Sequence, residues 1–168
     1  MRRVRVVPFL AIALFCVGCD HATKIAAEAW LASRPPVELA GGFVRFELAY
    51  NAGAFLSLGA GLPLGLRNAI FAVIVPLGVV AASLFLLRDS TLRAATWIAL
   101  GLLAGGGVAN GIDRILNGGF VTDFVSIGIG SLRTGIFNVA DLAVVAGAAG
   151  MALLSFQPDR SEAEAPRA

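Results

Sequence analysis

Residues 68–87 run for 20 positions without a charged side chain, and an α-helix needs about 20 apolar residues to cross a bilayer. Three further stretches are long and predominantly apolar, at about 6–31, broken by Asp20, Lys24 and Glu28, at 94–112 and at 135–156. In hydrocarbon every backbone N–H and C=O must find its partner within the segment, so runs of this kind fold as helices. The chain therefore reads as one integral membrane domain, residues 1–156, with four transmembrane helices. Composition agrees: 58% of residues are hydrophobic and 14% charged, against about 45–50% and about 25% in soluble domains. This excludes a soluble globular enzyme, a disordered chain and a nucleic-acid binder built on a basic face, so no nucleic-acid partner is expected. A net charge of +2 is too small to steer a charged partner.

Pro76 falls inside the second span and is expected to kink it, while Gly101 and the run Gly105-Gly106-Gly107 offer small faces for close helix contact. Four spans put both termini on one side. That side carries seven arginines (Arg2, Arg3, Arg5, Arg88, Arg93, Arg160 and Arg167) and the other side five (Arg34, Arg45, Arg67, Arg114 and Arg133). Cytoplasmic loops are the richer in basic residues, so both termini are placed in the cytoplasm. Residues 157–168 are polar and of mixed charge, which reads as a disordered cytoplasmic tail. The N-terminal arginines followed by an apolar run to Cys19 have the form of a secretory signal, and Val17-Gly18-Cys19 resembles the end of a lipoprotein cleavage box. A chain cut there would itself be a lipoprotein. Cys16 stands where such boxes usually carry leucine, and more apolar helix follows, so the segment is read as an uncleaved first span. Cys16 and Cys19 are read as free thiols, since a zinc site would lack ligands with one histidine, His21, in the chain.

Two segments on the outer side differ from ordinary loops. Residues 42–50 alternate large apolar and polar side chains, the period of a half-buried strand, and predict a small extracytoplasmic β-sheet. Residues 118–135 set Phe120, Val121, Phe124, Val125 and Ile127 between glycines. That is too apolar for a free loop, and predicts an apolar loop or half-helix lying on the membrane surface.

Polar groups at membrane depth are costly, so each is a site candidate: Asp20, Lys24, Asn51, Asn110, Asp113, Arg114, Asp123, Asn138 and Asp141. Asn110 shares a helix face with Asp113 and Arg114, at i, i+3 and i+4. Asn138 and Asp141 share another at the start of the fourth span. The third span runs outward and the fourth inward, so both groups lie at the outer level, and Asp123 sits in the segment joining them. Two carboxylates close enough to repel cannot both ionise. Such a pair can activate water against a peptide carbonyl, one acid acting as base and the other donating to the carbonyl oxygen. The bland reading makes Asp113 a structural partner of Arg114 or another cation, and Asp20 a partner of Lys24. A proton-coupled transporter using the acids as a relay is the second functional class; it would spread polar groups over several depths, whereas these gather at one. A serine peptidase lacks a nucleophile elbow here, and the metal-peptidase motif H-E-x-x-H is missing.

Five ordered motifs carry a family resemblance. Asp20-His21-Ala22-Thr23-Lys24 resembles the D-x-x-T-K element of the lipoprotein signal peptidase (signal peptidase II) family, and Tyr50-Asn51-Ala52-Gly53-Ala54-Phe55 its N-x-G-A-A-F element. The stretch from Gly106 to Arg114 is similar to its G-G-x-x-G-N-x-x-D-R element, Val121-Thr122-Asp123-Phe124 to V-x-D-F, and Phe137-Asn138-Val139-Ala140-Asp141 to F-N-x-A-D. The resemblance implies a monomeric aspartic endopeptidase of the bacterial inner membrane, without metal or cofactor, whose active site faces outward. It implies membrane lipid as surroundings and diacylglyceryl-modified prolipoproteins as substrates, cut on the amino side of the lipidated cysteine. Carried over by motif, Asp123 and Asp141 are the catalytic pair; Asp20, Lys24, Asn51, Gly53, Asn110, Asp113, Arg114 and Asn138 line or support the site. Two departures stand out: one alanine rather than two separates Gly53 from Phe55, which is expected to shift a substrate-facing loop, and Ala109 replaces a glycine before Asn110.

Overall fold

A computed structural model describes residues 3–53, 61–89 and 92–156 of the 168-residue chain, with side chains from residue 6 onward. The expected tail at 157–168, Arg2, Arg160, Arg167, and the Ala54-Phe55 end of the second motif lie outside the described residues.

Helix α1 (Arg3–Leu31) is followed by strands β1 (Val37–Leu39) and β2 (Val44–Asn51). The second span is built from α2 (Leu64–Asn68), a π-helical turn (Ala69–Ile74) and α3 (Val75–Leu86). Helix α4 (Ala94–Leu116), β3 (Val121–Ile129), β4 (Leu132–Arg133) and α5 (Val139–Ser155) complete the described chain. Among the described residues, three helical segments are long and apolar enough to cross a membrane: Val6–Leu31, Leu64–Leu86 and Ala94–Leu116. Helix α5, at 17 residues, stands at the short limit of about 17–25 for a spanning helix. Large apolar side chains such as Leu14, Phe15, Leu77 and Phe85 are exposed along these helices, as lipid-facing positions must be.

Pro76 lies two residues after the π-helical turn, in the first turn of α3. Proline has no N–H to donate, and a π turn is one way a helix absorbs the lost bond. Helix α4 is the centre of the bundle, packing on α1, α3 and α5. Its glycines set these approaches. A Cβ on Gly105 would come within 2.7 Å of the Ala13 carbonyl oxygen of α1, and one on Gly106 within 2.5 Å of the Ala140 carbonyl oxygen of α5; Gly107 faces open space.

The four strands form one antiparallel sheet in the order β1-β2-β3-β4. It seats on the end of α1, where Ala27, Leu31 and Phe124 are buried together against Val37, Phe46, Leu48 and Val139, and Trp30 meets Phe46 edge to face at 6.5 Å. The segment 118–135 is thus strand and hairpin rather than loop or half-helix. Val121 and Phe124 are buried, Phe124 against α1, while Ile129 and Leu132 at the hairpin end stay exposed, and β2 supplies the ladder partner that the segment has no means of forming alone. The third and fourth spans also shift from their expected limits. Helix α4 continues to Leu116, and residues 135–138 leave the fourth span to lie along β3, Val125 bridging Phe137.

Candidate active site

Helix α4 ends in a Schellman turn. The Gly119 N–H donates to the Arg114 carbonyl at 2.7 Å, with Gly118 and Gly119 at φ 63° and 100°, a conformation glycine adopts without a Cβ penalty. This reversal sends the chain from Asp113 and Arg114 into β3. There Ala49 of β2 is paired with Asp123 and Asn51 with Val121. Side chains two apart on a strand share a face, so Asn51 is a diagonal neighbour of Asp123 and its Nδ2 donates to Asp123 Oδ2 at 3.0 Å.

Asp141 arrives through the start of α5. Asn138 is the N-cap, its Oδ1 accepting from the Asp141 N–H at 2.9 Å, while the Asn138 N–H donates to Asp141 Oδ2 at 3.3 Å. This reciprocal box satisfies two of the unpaired donors at a helix start. A third, the Ala140 N–H, donates to Asp20 Oδ1 of α1 at 2.8 Å, an acid placed at the positive end of the helix.

Asn138 joins the two halves. Its Nδ2 donates to Asp123 Oδ1 at 2.6 Å and also lies 3.1 Å from Asn110 Oδ1. Asn110 in turn donates through Nδ2 to Asp141 Oδ1 at 2.8 Å. Lys24 fixes the orientation of that amide: an ammonium only donates, and its Nζ lies 3.0 Å from Asn110 Oδ1. The same Nζ pairs with Asp20 at 2.7 Å and Asp113 at 3.0 Å. Asp113 accepts from Asn117 Nδ2 and from the Thr122 N–H. Arg114 turns away from Asp113, donating to the Gly53 carbonyl at 2.7 Å and the Asn110 carbonyl at 3.1 Å, since neighbours at i and i+1 do not share a helix face. The Gly53 N–H closes the loop on Asn51 Oδ1 at 2.9 Å.

All ten residues singled out from the sequence therefore sit in one hydrogen-bonded network. Asp113 pairs with Lys24 and not with its chain neighbour. Thr122 and Glu28 were missed. Thr122 bonds Asp113 through its N–H and donates through Oγ1 to Glu28 Oε1 at 2.9 Å. The signal was present in Glu28, which stands four residues beyond Lys24 on the face of α1 that carries Asp20.

Asp123 is 1% exposed. Burial, reinforced by the neighbouring Asp141 charge, raises its carboxyl to about 7, against the lowering influence of Asn51, Asn138 and Lys24. Asp141 is less deeply buried. A proton held by one acid beside an ionised partner suits general acid and base work on a carbonyl.

Residues 12–157 match the family model for signal peptidase (SPase) II. A lipoprotein signal peptidase of Xylella fastidiosa (strain M12) is 34% identical over 164 residues, covering 94% of this chain and 93% of its own length. One from Streptomyces coelicolor is 34% identical over 158 residues, covering 91% and 72%. A solved bacterial membrane enzyme, 26% identical, superposes with a TM-score of 0.72 over 97% of this chain and 94% of that one.

Proposed function

The chain belongs to the signal peptidase II family and is a bacterial membrane peptidase, and from that premise we propose that it is an aspartic endopeptidase removing signal peptides from diacylglyceryl-modified prolipoproteins. Cleavage falls on the amino side of the lipidated cysteine. Asp123 and Asp141 are the catalytic residues. The observation that carries this reading is the Asn138 side chain and backbone joining both carboxyl groups inside one hydrogen-bonded network.

Asp123, the more deeply buried acid, holds the proton and donates it as a hydrogen bond to the scissile carbonyl oxygen. Asp141, ionised, takes a proton from water as the water oxygen attacks the carbonyl carbon. The tetrahedral intermediate collapses as its C–N bond breaks and the proton passes to the leaving amine, so no covalent enzyme intermediate forms. Asn138 and Asn110 hold the two acids in register. Asn51 and Asn138 keep Asp123 oriented, while Lys24 with Asp20 and Asp113 supports Asn110 from behind. Arg114 braces the Gly53 backbone beside the pair. No metal or diffusible cofactor enters this reaction. The gathering of ionisable groups at one end of the helices favours a peptidase over a relay through the membrane.

The protein works as a monomer in the inner membrane, both termini cytoplasmic, residues 1–156 forming the peptidase domain and the network facing outward at the depth of the modified cysteine. The test is cleavage of a lipidated prolipoprotein by purified protein. Asp123→Asn and Asp141→Asn should each lose at least about 10³-fold in turnover, comparable with losing a catalytic acid or base. Substantial turnover in either variant would overturn the assigned mechanism.

A further inference from the structure

Arg67, on α2, is a buried cation outside the network. It is 7% exposed, its Nε is buried with no hydrogen-bond partner, and among the described residues no acid forms an ion pair with it. Residues 54–60 add no acid to its surroundings, since they contain none. Its guanidinium stacks on Phe120 at 5.6 Å and its charge is felt by Arg114, which holds the Gly53 carbonyl beside Asn51. Leu64 and Leu66 on the same short helix are exposed. Arg67 thus lies on a helix with an exposed apolar stretch, Leu64 and Leu66, and close enough to the network for its charge to act on Arg114. A guanidinium carries five donors, and ring stacking satisfies none of them.

We infer that Arg67 donates to the ester carbonyl oxygens of the substrate's diacylglyceryl group, an inference that rests on the peptidase reading above. These esters lie between the acyl chains, which stay in the bilayer, and the cysteine, which must reach Asp123 and Asp141. Arg67, with Leu64 and Leu66 exposed on its own helix and its charge acting on Arg114, suits that position. A neutral acceptor suits the place better than an anion, because Asp123, Asp141 and Asp113 already surround Arg114 with negative charge. The planar fork can meet two carbonyl oxygens at once.

Two lipopeptides that differ only in the lipid provide the test: a diacylglyceryl ester and its dialkyl ether, which keeps the chains and lacks the carbonyls. Wild-type protein should favour the ester by about tenfold in kcat/KM, chiefly through KM, since these contacts do not change during bond cleavage. Arg67→Gln should reduce the preference to near unity, and Arg67→Lys should retain part of it. Equal cleavage of ester and ether by the wild type, or an undiminished preference in a folded Arg67→Gln protein, overturns the inference. If Arg67→Gln fails to fold, the wild-type ratio and the lysine variant still decide. Absence of any cleavage would instead overturn the peptidase reading.

Discussion

Lys24 is 3% exposed and spends its three N–H donors on Asp20, Asp113 and Asn110. Removing one partner from a buried ion network leaves the other charges uncompensated, at about 3–5 kcal/mol. Lys24→Met should therefore lower stability by about that much, read in a thermal or denaturant melt, and should also slow cleavage because Asn110 loses the contact that aims it at Asp141. Asp123 makes a prediction with the opposite sign. Its folded-state carboxyl, near 7, lies above its ordinary unfolded value of 3.8. As pH rises through that window the unfolded chain releases the proton while the folded chain retains it, so stability falls until about pH 7 and then levels off. The melting temperature of Asp123→Asn should lack this descending limb. On the proposed mechanism, cleavage by the wild type should likewise fall as pH rises through about 7, because Asp123 would lose the proton it gives to the carbonyl oxygen.

At the level of elements, the approach of α4 to its neighbours positions both halves of the site. Gly106 faces the Ala140 carbonyl and Val144, whereas the next residue, Gly107, faces open space. Gly106→Val forces α5 away from α4; overpacking of this kind costs about 1–3 kcal/mol, and α5 carries Asn138 and Asp141. That variant should melt earlier and lose activity. Gly107→Ala, in the same helix and with no clash, should be neutral or slightly stabilising, by less than about 1 kcal/mol. A similar effect of both substitutions on the melting temperature would contradict the packing described. The sheet completes the positioning: the bulge between Phe46 and Ala49 resets the register so that Asn51 and Asp123 share a face.

Across the whole molecule, the network lies at the end of the bundle where α4 meets β3 and α5 begins, the end opposite the start of α4. On the proposed orientation, with both termini cytoplasmic, alkaline phosphatase inserted after Arg34 should be active in cells, and a green fluorescent protein fused at the C-terminus should fluoresce. The reverse pattern would invert the proposed orientation. Of the four apolar runs read as spans, three form helices long enough to cross, because the bilayer leaves backbone polar groups no alternative to helix, and the few ionisable residues within or beside them stood out as candidates for the same energetic reason. Residues 118–135 were not legible as strand, since alternation there is blurred by burial on both faces and the ladder partner comes from a segment far along the chain. Nor could spacing reveal that Asn51 would meet Asp123 across 72 positions, that Lys24 rather than Arg114 would neutralise Asp113, or that Arg67 would be buried without an acid. Solvent preference and helical period act within a segment and are written in the sequence. Hydrogen-bond and ion-pair partners depend on which segments the packed helices and paired strands bring together, and that was decided only by the tertiary structure.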